Sequence, residues 1–281
     1  MRPDTLGVIG LGAIGGSVAW QAALAGVRRV IGYSPAPAEG AAAAKAGAVT
    51  EVATSVRSVV RRADLLVIAA PPAATLAQLR SVAAELGSRG ALCTDVSSVK
   101  GPVVRLAESL GLASRFAGSH PFTGTHRSGF AAARAGLFEG AIVYVTPLER
   151  GDDAAREVAD FWSGVYRADP VMMDAATHDR LVEWTSHLPQ GTASALATAL
   201  ARWGPSGVTY GQGARDTTRL AASSVEMWRD VLLLNREAML EALDGLEDSL
   251  GSLRRALAAG DTDALTRWLD TAARWRRELG P

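Results

Sequence analysis

The chain has 281 residues, 48% of them hydrophobic, and its 29 basic residues balance 29 acidic ones. This length suits one large domain or two ordinary ones. A net charge of zero argues against a nucleic-acid partner or a membrane surface, because either normally needs a basic excess. The single cysteine, Cys93, excludes an intramolecular disulfide and a cysteine metal site. The sequence contains neither a signal-peptide pattern nor a membrane-length apolar run, so we expect a cytoplasmic protein.

The first half of the chain alternates short apolar runs with helix-like segments. Six runs read as buried strands that end at turn signals: 6–12, 28–34, 63–71, 90–97, 114–120 and 141–147. Helical patterns lie at 13–25, 36–46, 74–87, 100–111 and 152–164, and the run 169–174 follows the last of them. Repeated βα units predict an α/β domain with a doubly wound parallel sheet, which we assign to residues 1–173.

From residue 174 to 281 the pattern is helical and strand-like runs disappear. Leucine or methionine occupies positions 239, 243, 246, 250, 253 and 257, a spacing of alternately four and three residues. Such a seam packs against other helices. Two interpretations stay open: a core within the chain, or the interface of a homodimer.

A glycine-rich loop follows the first predicted strand and opens the first predicted helix. The segment "GVIGLGAIGGS" contains the pattern Gly10-x-Gly12-x-x-Gly15. The first glycine permits a tight turn, the second lets the backbone approach a pyrophosphate, and the third lets the helix pack on the strand. The loop therefore predicts a dinucleotide cofactor. We assign its binding to Gly10, Leu11, Gly12, Ala13, Ile14, Gly15, Ser34, Ala70, Pro71 and Ser97.

The sequence leaves open whether the cofactor is NAD or NADP. In NAD enzymes an acidic residue at the end of the second strand binds the ribose 2′-hydroxyl. Here Ser34 stands at that position. Serine tolerates the 2′-phosphate of NADP, but the arginine that usually accompanies it is missing, since Arg28 and Arg29 lie at the other end of the strand.

All four histidines fall between residues 120 and 187. His120 ends a predicted strand on the side where doubly wound sheets bind ligands, and histidine suits the transfer of a hydroxyl proton near neutral pH. His178 lies in the first turn of a helix, where we expect a structural role. His187 precedes Pro189, which should kink its helix and place His187 or Gln190 in a cleft. No two histidines have metal-ligand spacing, so we predict no metal site.

Six motifs follow one another along the chain: "GVIGLGAIGGS", "DVSSVKG", "GSHPFTGTHRSG", "LFEGAIVYVTP", "HDRLVEWTSHLPQ" and "ARDTTRLAASSVEMWRDVLLLN". In their order and spacing they resemble the prephenate/arogenate dehydrogenases of tyrosine biosynthesis. The resemblance extends from about residue 6 to residue 257. It implies a Rossmann domain followed by an all-α dimerisation domain, and an NAD(P)-dependent oxidoreductase that acts on a small molecule.

The reaction implied is the oxidative decarboxylation of prephenate to 4-hydroxyphenylpyruvate. By the same resemblance His120 is the general base at the ring hydroxyl, Ser98 hydrogen-bonds in the same region, and Arg219 binds a carboxylate through its bidentate guanidinium. Gln190, His187, Thr125 and His126 complete the implied substrate site. Two positions depart from the family pattern: Gln190 stands where many prephenate enzymes have histidine, and His126 where glutamate is common.

Alternatives remain at this stage. Gln190 leaves the choice between prephenate and arogenate open, and a relative that acts on 4-amino-4-deoxyprephenate fits the same motifs. A dehydrogenase for 3-hydroxy acids or imines usually carries a catalytic lysine in its second domain, and no lysine follows Lys100. A dinucleotide-sensing binding protein would bind the cofactor without turnover and would not need both His120 and Arg219.

Overall fold

The computed structural model describes residues 1–123, 127–204 and 207–280. The chain divides into two compact units, Met1–Asn235 and a second that begins at Arg236. The strands of the first unit are β1 (Thr5–Ile9), β2 (Arg29–Tyr33), β3 (Glu51–Val52), β4 (Leu65–Ile68), β5 (Leu92–Asp95), β6 (Gly118–Pro121), β7 (Ile142–Thr146) and β8 (Asp169–Met172). Its helices are α1 (Ala13–Leu24), α2 (Pro37–Lys45), α3 (Val56–Val60), α4 (Pro72–Arg89), α5 (Gly101–Ser109), α6 (Asp152–Tyr166), α7 (Ala175–Val182), α8 (Leu188–Trp203), α9 (Gln212–Thr218) and α10 (Val225–Leu234). A π-helical turn, Glu183–His187, joins α7 to α8, and the 3₁₀ turn Arg219–Ala222 follows α9.

Five strands form a parallel sheet in the order β3-β2-β1-β4-β5. Leu6 of the central strand β1 lies beside Val30 of β2 on one side and Leu65 of β4 on the other. Each of the five residues of β1 is buried, as expected where helices cover both faces of a parallel sheet. This arrangement confirms the predicted doubly wound α/β fold. The carboxyl ends of β1 and β4 flank the switch point of the strand order, where such sheets bind ligands.

Strands β6, β7 and β8 form a separate three-stranded sheet. β6 runs antiparallel to β7, with His120 opposite Tyr144, while β7 and β8 are parallel. A parallel bridge between Cys93 of β5 and Phe116, which lies two residues before β6, brings the two sheets together. The alternation of βα units does not predict the antiparallel pair, because periodicity reports burial and not strand direction. The short elements β3 and α3 also escape the pattern, since two and five residues are too few to show a period.

The second unit contains two helices, α11 (Arg236–Ala259) and α12 (Thr262–Glu278). Asp261 caps α12 by accepting a hydrogen bond from the Ala264 N–H at 2.9 Å. The predicted seam lies along α11, yet Leu250 and Leu257 are 53% and 60% exposed. Within the described chain no helix is long and apolar enough to cross a membrane.

Candidate active site

A cavity of about 1130 Å³ lies in the first unit and extends from the glycine loop to the 3₁₀ turn at Arg219. This volume is large enough for a dinucleotide together with a small substrate. Eleven of the residues assigned from the sequence line it: Gly12, Ala13, Ile14, Gly15, Ala70, Pro71, Ser97, Ser98, His120, Gln190 and Arg219. Gly10, Leu11, Ser34 and His187 are not among its lining residues, and Thr125 and His126 lie outside the described residues.

The glycine loop has the geometry that a pyrophosphate site requires. Gly10 has a φ of +95°, and a Cβ there would overlap the carbonyl oxygen of Ala69. A Cβ at Gly15 would overlap the carbonyl oxygen of Gly10 and lie 2.8 Å from the Ala69 Cβ. A Cβ at Gly12, in contrast, would meet only the Oε1 of Glu39, at 3.9 Å. Two glycines therefore serve packing, while Gly12 leaves open space in front of the N-terminus of α1, where N–H groups can bind an anion.

Ser34 directly follows β2, as the sequence predicts, but its hydroxyl points to another residue of the chain. The hydroxyl donates a hydrogen bond to Oε2 of Glu39 at 2.6 Å. Glu39 lies in the first turn of α2, five residues further on. The sequence pattern does not predict this carboxylate, because the pattern places the acidic residue at the end of the second strand, whereas Glu39 lies on the helix that follows.

The imidazole of His120 belongs to a hydrogen-bonded chain of three side chains. Its Nδ1 lies 2.9 Å from Nε2 of His178, and Nδ1 of His178 lies 2.8 Å from Oδ1 of Asp179. Both His178 and Asp179 are buried. His120 is supplied by β6, whereas the other two residues come from the first turns of α7. The sheet and the helical part of this unit therefore meet at the histidine pair.

This chain of hydrogen bonds determines where the protons are. The carboxylate of Asp179 only accepts, so Nδ1 of His178 must be the donor. Neutral His178 then has an unprotonated Nε2, which accepts the Nδ1–H of His120. His120 consequently carries its lone pair on Nε2, the nitrogen available to a ligand in the cavity.

The surroundings of the histidines hold them in the neutral form. Burial lowers the pKa of His120 well below its ordinary value of 6.5, and the neighbouring His178, Lys100 and His187 lower it further. Burial also lowers the pKa of His178, although its hydrogen bond to Asp179 acts in the opposite direction. A neutral His120 at physiological pH is in the protonation state that a general base needs.

The same carboxylate of Asp179 anchors the start of α5. Its Oδ1 accepts the N–H of Lys100 and its Oδ2 the N–H of Gly101, each at 2.7 Å. These are two of the N–H groups that a helix N-terminus leaves without a partner inside the helix. The one carboxylate of Asp179 thus both connects the loop after β5 to α7 and orients His178.

Lys100 is completely buried behind the site. Its ammonium group donates to both carboxylate oxygens of Asp95, at 2.7 and 2.6 Å, and to the carbonyl oxygen of Ser119 at 2.8 Å. Asp95 ends β5, and Ser119 precedes His120 on β6. The buried pair therefore joins the two sheets next to the catalytic candidate, and it explains why a chain rich in arginine has a lysine here, because an ammonium donates in three directions from one point.

Two serines follow β5 at the cavity. Ser97 is buried, its N–H donates to Oδ2 of Asp95 at 2.9 Å, and its hydroxyl has no hydrogen-bond partner among the described residues. Ser98 is partly buried and lines the cavity together with His120. Both serines thus line the cavity, and their roles in cofactor binding and catalysis stay predictions.

Gln190 on α8 and Arg219 in the 3₁₀ turn also line the cavity. The side-chain amide nitrogen of Gln190 donates to the carbonyl oxygen of Leu220 at 2.9 Å and to the Ser194 hydroxyl at 3.3 Å. A carbonyl oxygen only accepts, so the orientation of the amide is fixed. Oε1 of Gln190 is buried and has no partner in the described part of the chain. Gln190 therefore has no free donor, and its one unused hydrogen-bonding group is the Oε1 acceptor.

His187 lies behind the cavity wall in the π-helical turn that precedes Pro189. Its Nδ1 lies 3.2 Å from the amide nitrogen of Asn235, and the ring packs edge-on against Trp228 at 5.8 Å between centroids. Burial lowers the pKa of His187 to about 4, which keeps it neutral. Proline lacks the N–H that a regular helix needs, and this accounts for an irregular turn at this place.

Two family models match the chain. "Prephenate dehydrogenase, nucleotide-binding domain" matches residues 23–167, and "Prephenate dehydrogenase, dimerization domain" matches residues 174–271. The prephenate dehydrogenase of Bacillus subtilis is 34% identical to this chain over 98% of it and 76% of the relative.

Solved structures agree with this result. The prephenate dehydrogenase of A. aeolicus, in complex with hydroxyphenyl propionate and NAD+, is 30% identical, with a TM-score of 0.88 over 98% of each chain. The arogenate dehydrogenase of Synechocystis is 27% identical, with a TM-score of 0.81 over 98% of this chain and 99% of the other. The chain belongs to the prephenate dehydrogenase family.

Proposed function

We propose that the chain is an NAD(P)-dependent prephenate dehydrogenase, which converts prephenate to 4-hydroxyphenylpyruvate and carbon dioxide. The observation that carries this proposal is a single cavity lined both by the glycine loop and by His120, whose Nε2 lone pair is fixed by His178 and Asp179. Such a cavity brings a dinucleotide and a base to one substrate. Family membership supplies the substrate class.

The glycine loop fits the dinucleotide. Gly12 leaves open space at the N-terminus of α1, and Gly15 lets that helix approach the strand, so Gly12, Ala13 and Ile14 would hold the pyrophosphate. Gly10 and Leu11 support the turn from behind, and Ala70, Pro71 and Ser97 contribute the neighbouring wall. A nicotinamide held there would supply the acceptor for the hydride of the hydroxyl-bearing ring carbon.

His120 accepts the proton of the hydroxyl group on the ring carbon that loses the hydride. As the hydride leaves, Nε2 of His120 takes the hydroxyl proton, and the ring carboxylate departs as carbon dioxide, its bond electrons entering the ring. The proton then returns to the oxygen, which becomes a phenol. Aromatisation drives the reaction, so the protein needs chiefly to orient the ring and to hold the proton.

The two anionic groups of the substrate need partners. Arg219 is exposed at the cavity, and its guanidinium suits bidentate binding of a carboxylate. Ser98 lines the cavity with His120, where its hydroxyl can bond the reacting oxygen. His187 supports this wall from behind, and roles for Thr125 and His126 in substrate binding stay predictions.

The direct test is a matrix of steady-state rates: prephenate and arogenate, each with NAD and with NADP, followed by nicotinamide absorbance. We expect turnover with prephenate. The matched variant is His120→Asn, which keeps an amide nitrogen near the position of Nδ1 and removes the base; it should lose turnover by about 10²–10⁴-fold. Absence of turnover in all four combinations, with cofactor still bound, would favour a dinucleotide-sensing protein instead.

One observation favours arogenate as a second substrate. Both donors of the Gln190 amide are engaged, so the one hydrogen-bonding group that Gln190 has left is the Oε1 acceptor. A hydrogen-bond acceptor suits the side-chain ammonium group of arogenate better than the keto group of prephenate. It gives 4-amino-4-deoxyprephenate no advantage over prephenate, because the amine of that compound lies on the ring and its side chain is the same keto acid. A rate with arogenate above that with prephenate would make arogenate the main substrate.

We also propose that residues 174–281 form the dimerisation domain of a homodimer, after the Rossmann domain of residues 1–173. Large apolar side chains remain exposed along α11 and α12, among them Leu250, Leu257, Leu269 and Trp275. The match to a dimerization-domain model supports the same interpretation. Light scattering after size-exclusion chromatography tests it, and a monomer at micromolar concentration would contradict it.

The lone Cys93 is buried as a free thiol, in keeping with the cytoplasmic location that we propose.

A further inference from the structure

The carboxylate of Glu39 lies at the edge of the dinucleotide loop. A Cβ at Gly12 would be 3.9 Å from its Oε1, and a Cβ at Gly129 would be 3.7 Å from the same atom. Both glycines line the cavity. Glu39 is therefore close to the space in front of the loop, although it follows the end of β2 by six residues.

Ser34 fixes the orientation of this carboxylate. The Ser34 hydroxyl accepts the Ala36 N–H at 3.2 Å and donates its own proton to Oε2 of Glu39 at 2.6 Å. With Oε2 engaged, Oε1 is the oxygen that faces the glycines. Ser34 thus stands where an acidic residue is expected and holds an acid from the next helix at nearly the same place.

We propose that Glu39 makes this chain select NAD over NADP. A fixed carboxylate at the end of the second strand accepts hydrogen bonds from the adenosine ribose hydroxyls, and it repels the additional phosphate that NADP carries there. The inference rests on the proposed dinucleotide site and names its cofactor. Ser34 alone would tolerate the phosphate, but here its hydroxyl holds the carboxylate of Glu39 that repels it.

Besides Arg219, two more arginines line the same cavity, Arg127 and Arg134. A positive charge attracts the pyrophosphate that NAD and NADP share as well as the additional phosphate of NADP, so these arginines do not by themselves select NAD. Discrimination requires a group that responds to the one phosphate by which the two cofactors differ. Glu39 is the carboxylate at the loop that meets this requirement.

The test is a binding titration, independent of catalysis. NADH and NADPH are titrated into the wild-type protein, Glu39→Gln and Glu157→Gln by isothermal calorimetry. Glutamine keeps the hydrogen bond from Ser34 but removes the charge, and Glu157 is an exposed glutamate on α6 that serves as the control. We expect wild type and control to bind NADH about tenfold or more tightly than NADPH, and Glu39→Gln to reduce that ratio toward one by binding NADPH more tightly.

Equal affinity of the wild-type protein for both nucleotides, or an unchanged ratio in Glu39→Gln, would overturn the role of Glu39. Selective binding of NADH without turnover of prephenate would leave this inference standing and overturn the proposed reaction. Failure to bind either nucleotide would overturn both.

Discussion

Nδ1 of His120 lies 2.9 Å from Nε2 of His178, across 58 positions of the sequence. The contact joins the end of a strand to the first turn of a helix and continues to the carboxylate of Asp179. Because each hydrogen bond in this chain has only one possible direction, the buried carboxylate determines which nitrogen of His120 is basic. His178 is therefore a positioning residue for the proposed base.

Replacing His178 by glutamine should lower kcat more than it changes KM. The His120 ring would keep its place on β6, but the glutamine amide can turn either its oxygen or its nitrogen toward Nδ1 and no longer links that atom to Asp179, so the tautomer of His120 is no longer fixed. We expect a loss in kcat on the order of 10- to 100-fold, the range found when a residue that orients a functional histidine is removed. Steady-state kinetics with the preferred substrate measure it.

The control for this variant is Thr177→Ala, which changes the preceding residue, whose hydroxyl group donates a hydrogen bond to Oδ2 of Asp174. It should keep a kcat near that of the wild type. If His178→Gln also keeps its kcat, or if KM rises while kcat stays constant, His178 does not position the base.

The pH dependence of kcat/KM should show a fall only at acidic pH. A general base works when it is unprotonated, and burial lowers the pKa of His120 well below 6.5. The rate should consequently be constant from about pH 8 to pH 6.5 and decrease below that value with the slope of a single proton. Samples returned from each pH to neutral buffer control for unfolding. A midpoint at or above 6.5 would contradict this assignment.

Lys100 and Lys45 are the two lysines of the chain and give a matched pair for stability. Lys100→Met removes the buried partner of Asp95, and we expect a loss of about 3–5 kcal/mol in the free energy of unfolding. Lys45 is exposed at the end of α2, so Lys45→Met should stay within about 0.5 kcal/mol of the wild type. Urea denaturation followed by tryptophan fluorescence compares them, and equal midpoints would refute the structural role of Lys100.

Much of the fold follows from local patterns in the sequence. The parallel sheet, the glycine loop and the helical second half each leave a periodic or positional signal over five to twenty residues, and such signals need no knowledge of tertiary contacts. The position of His120 at a strand end is predicted for the same reason.

Contacts between distant segments could not be predicted in this way. The pair of His120 and His178 depends on how β6 meets α7, and the pair of Ser34 and Glu39 depends on the turn that begins α2. No spacing rule connects these residues. His178 is the instructive case: a histidine in the first turn of a helix is more often structural, and only its distance to His120 and Asp179 gives it a role at the site.

Replacing Gly12 and Gly15 by alanine should have different effects on stability and on NADH binding. Gly15→Ala places a methyl group against the Gly10 carbonyl oxygen, so we expect it to destabilise the protein by about 1–3 kcal/mol or more. Gly12 has a φ of −70°, which alanine adopts readily, and its Cβ would meet only Glu39. Gly12→Ala should thus retain the wild-type unfolding midpoint while binding NADH about tenfold or more weakly, because the methyl group fills the space through which the pyrophosphate approaches.

Thermal unfolding and NADH titration of both variants distinguish these effects. If Gly12→Ala binds NADH normally, the pyrophosphate does not lie at this loop; if it unfolds like Gly15→Ala, Gly12 serves packing as well.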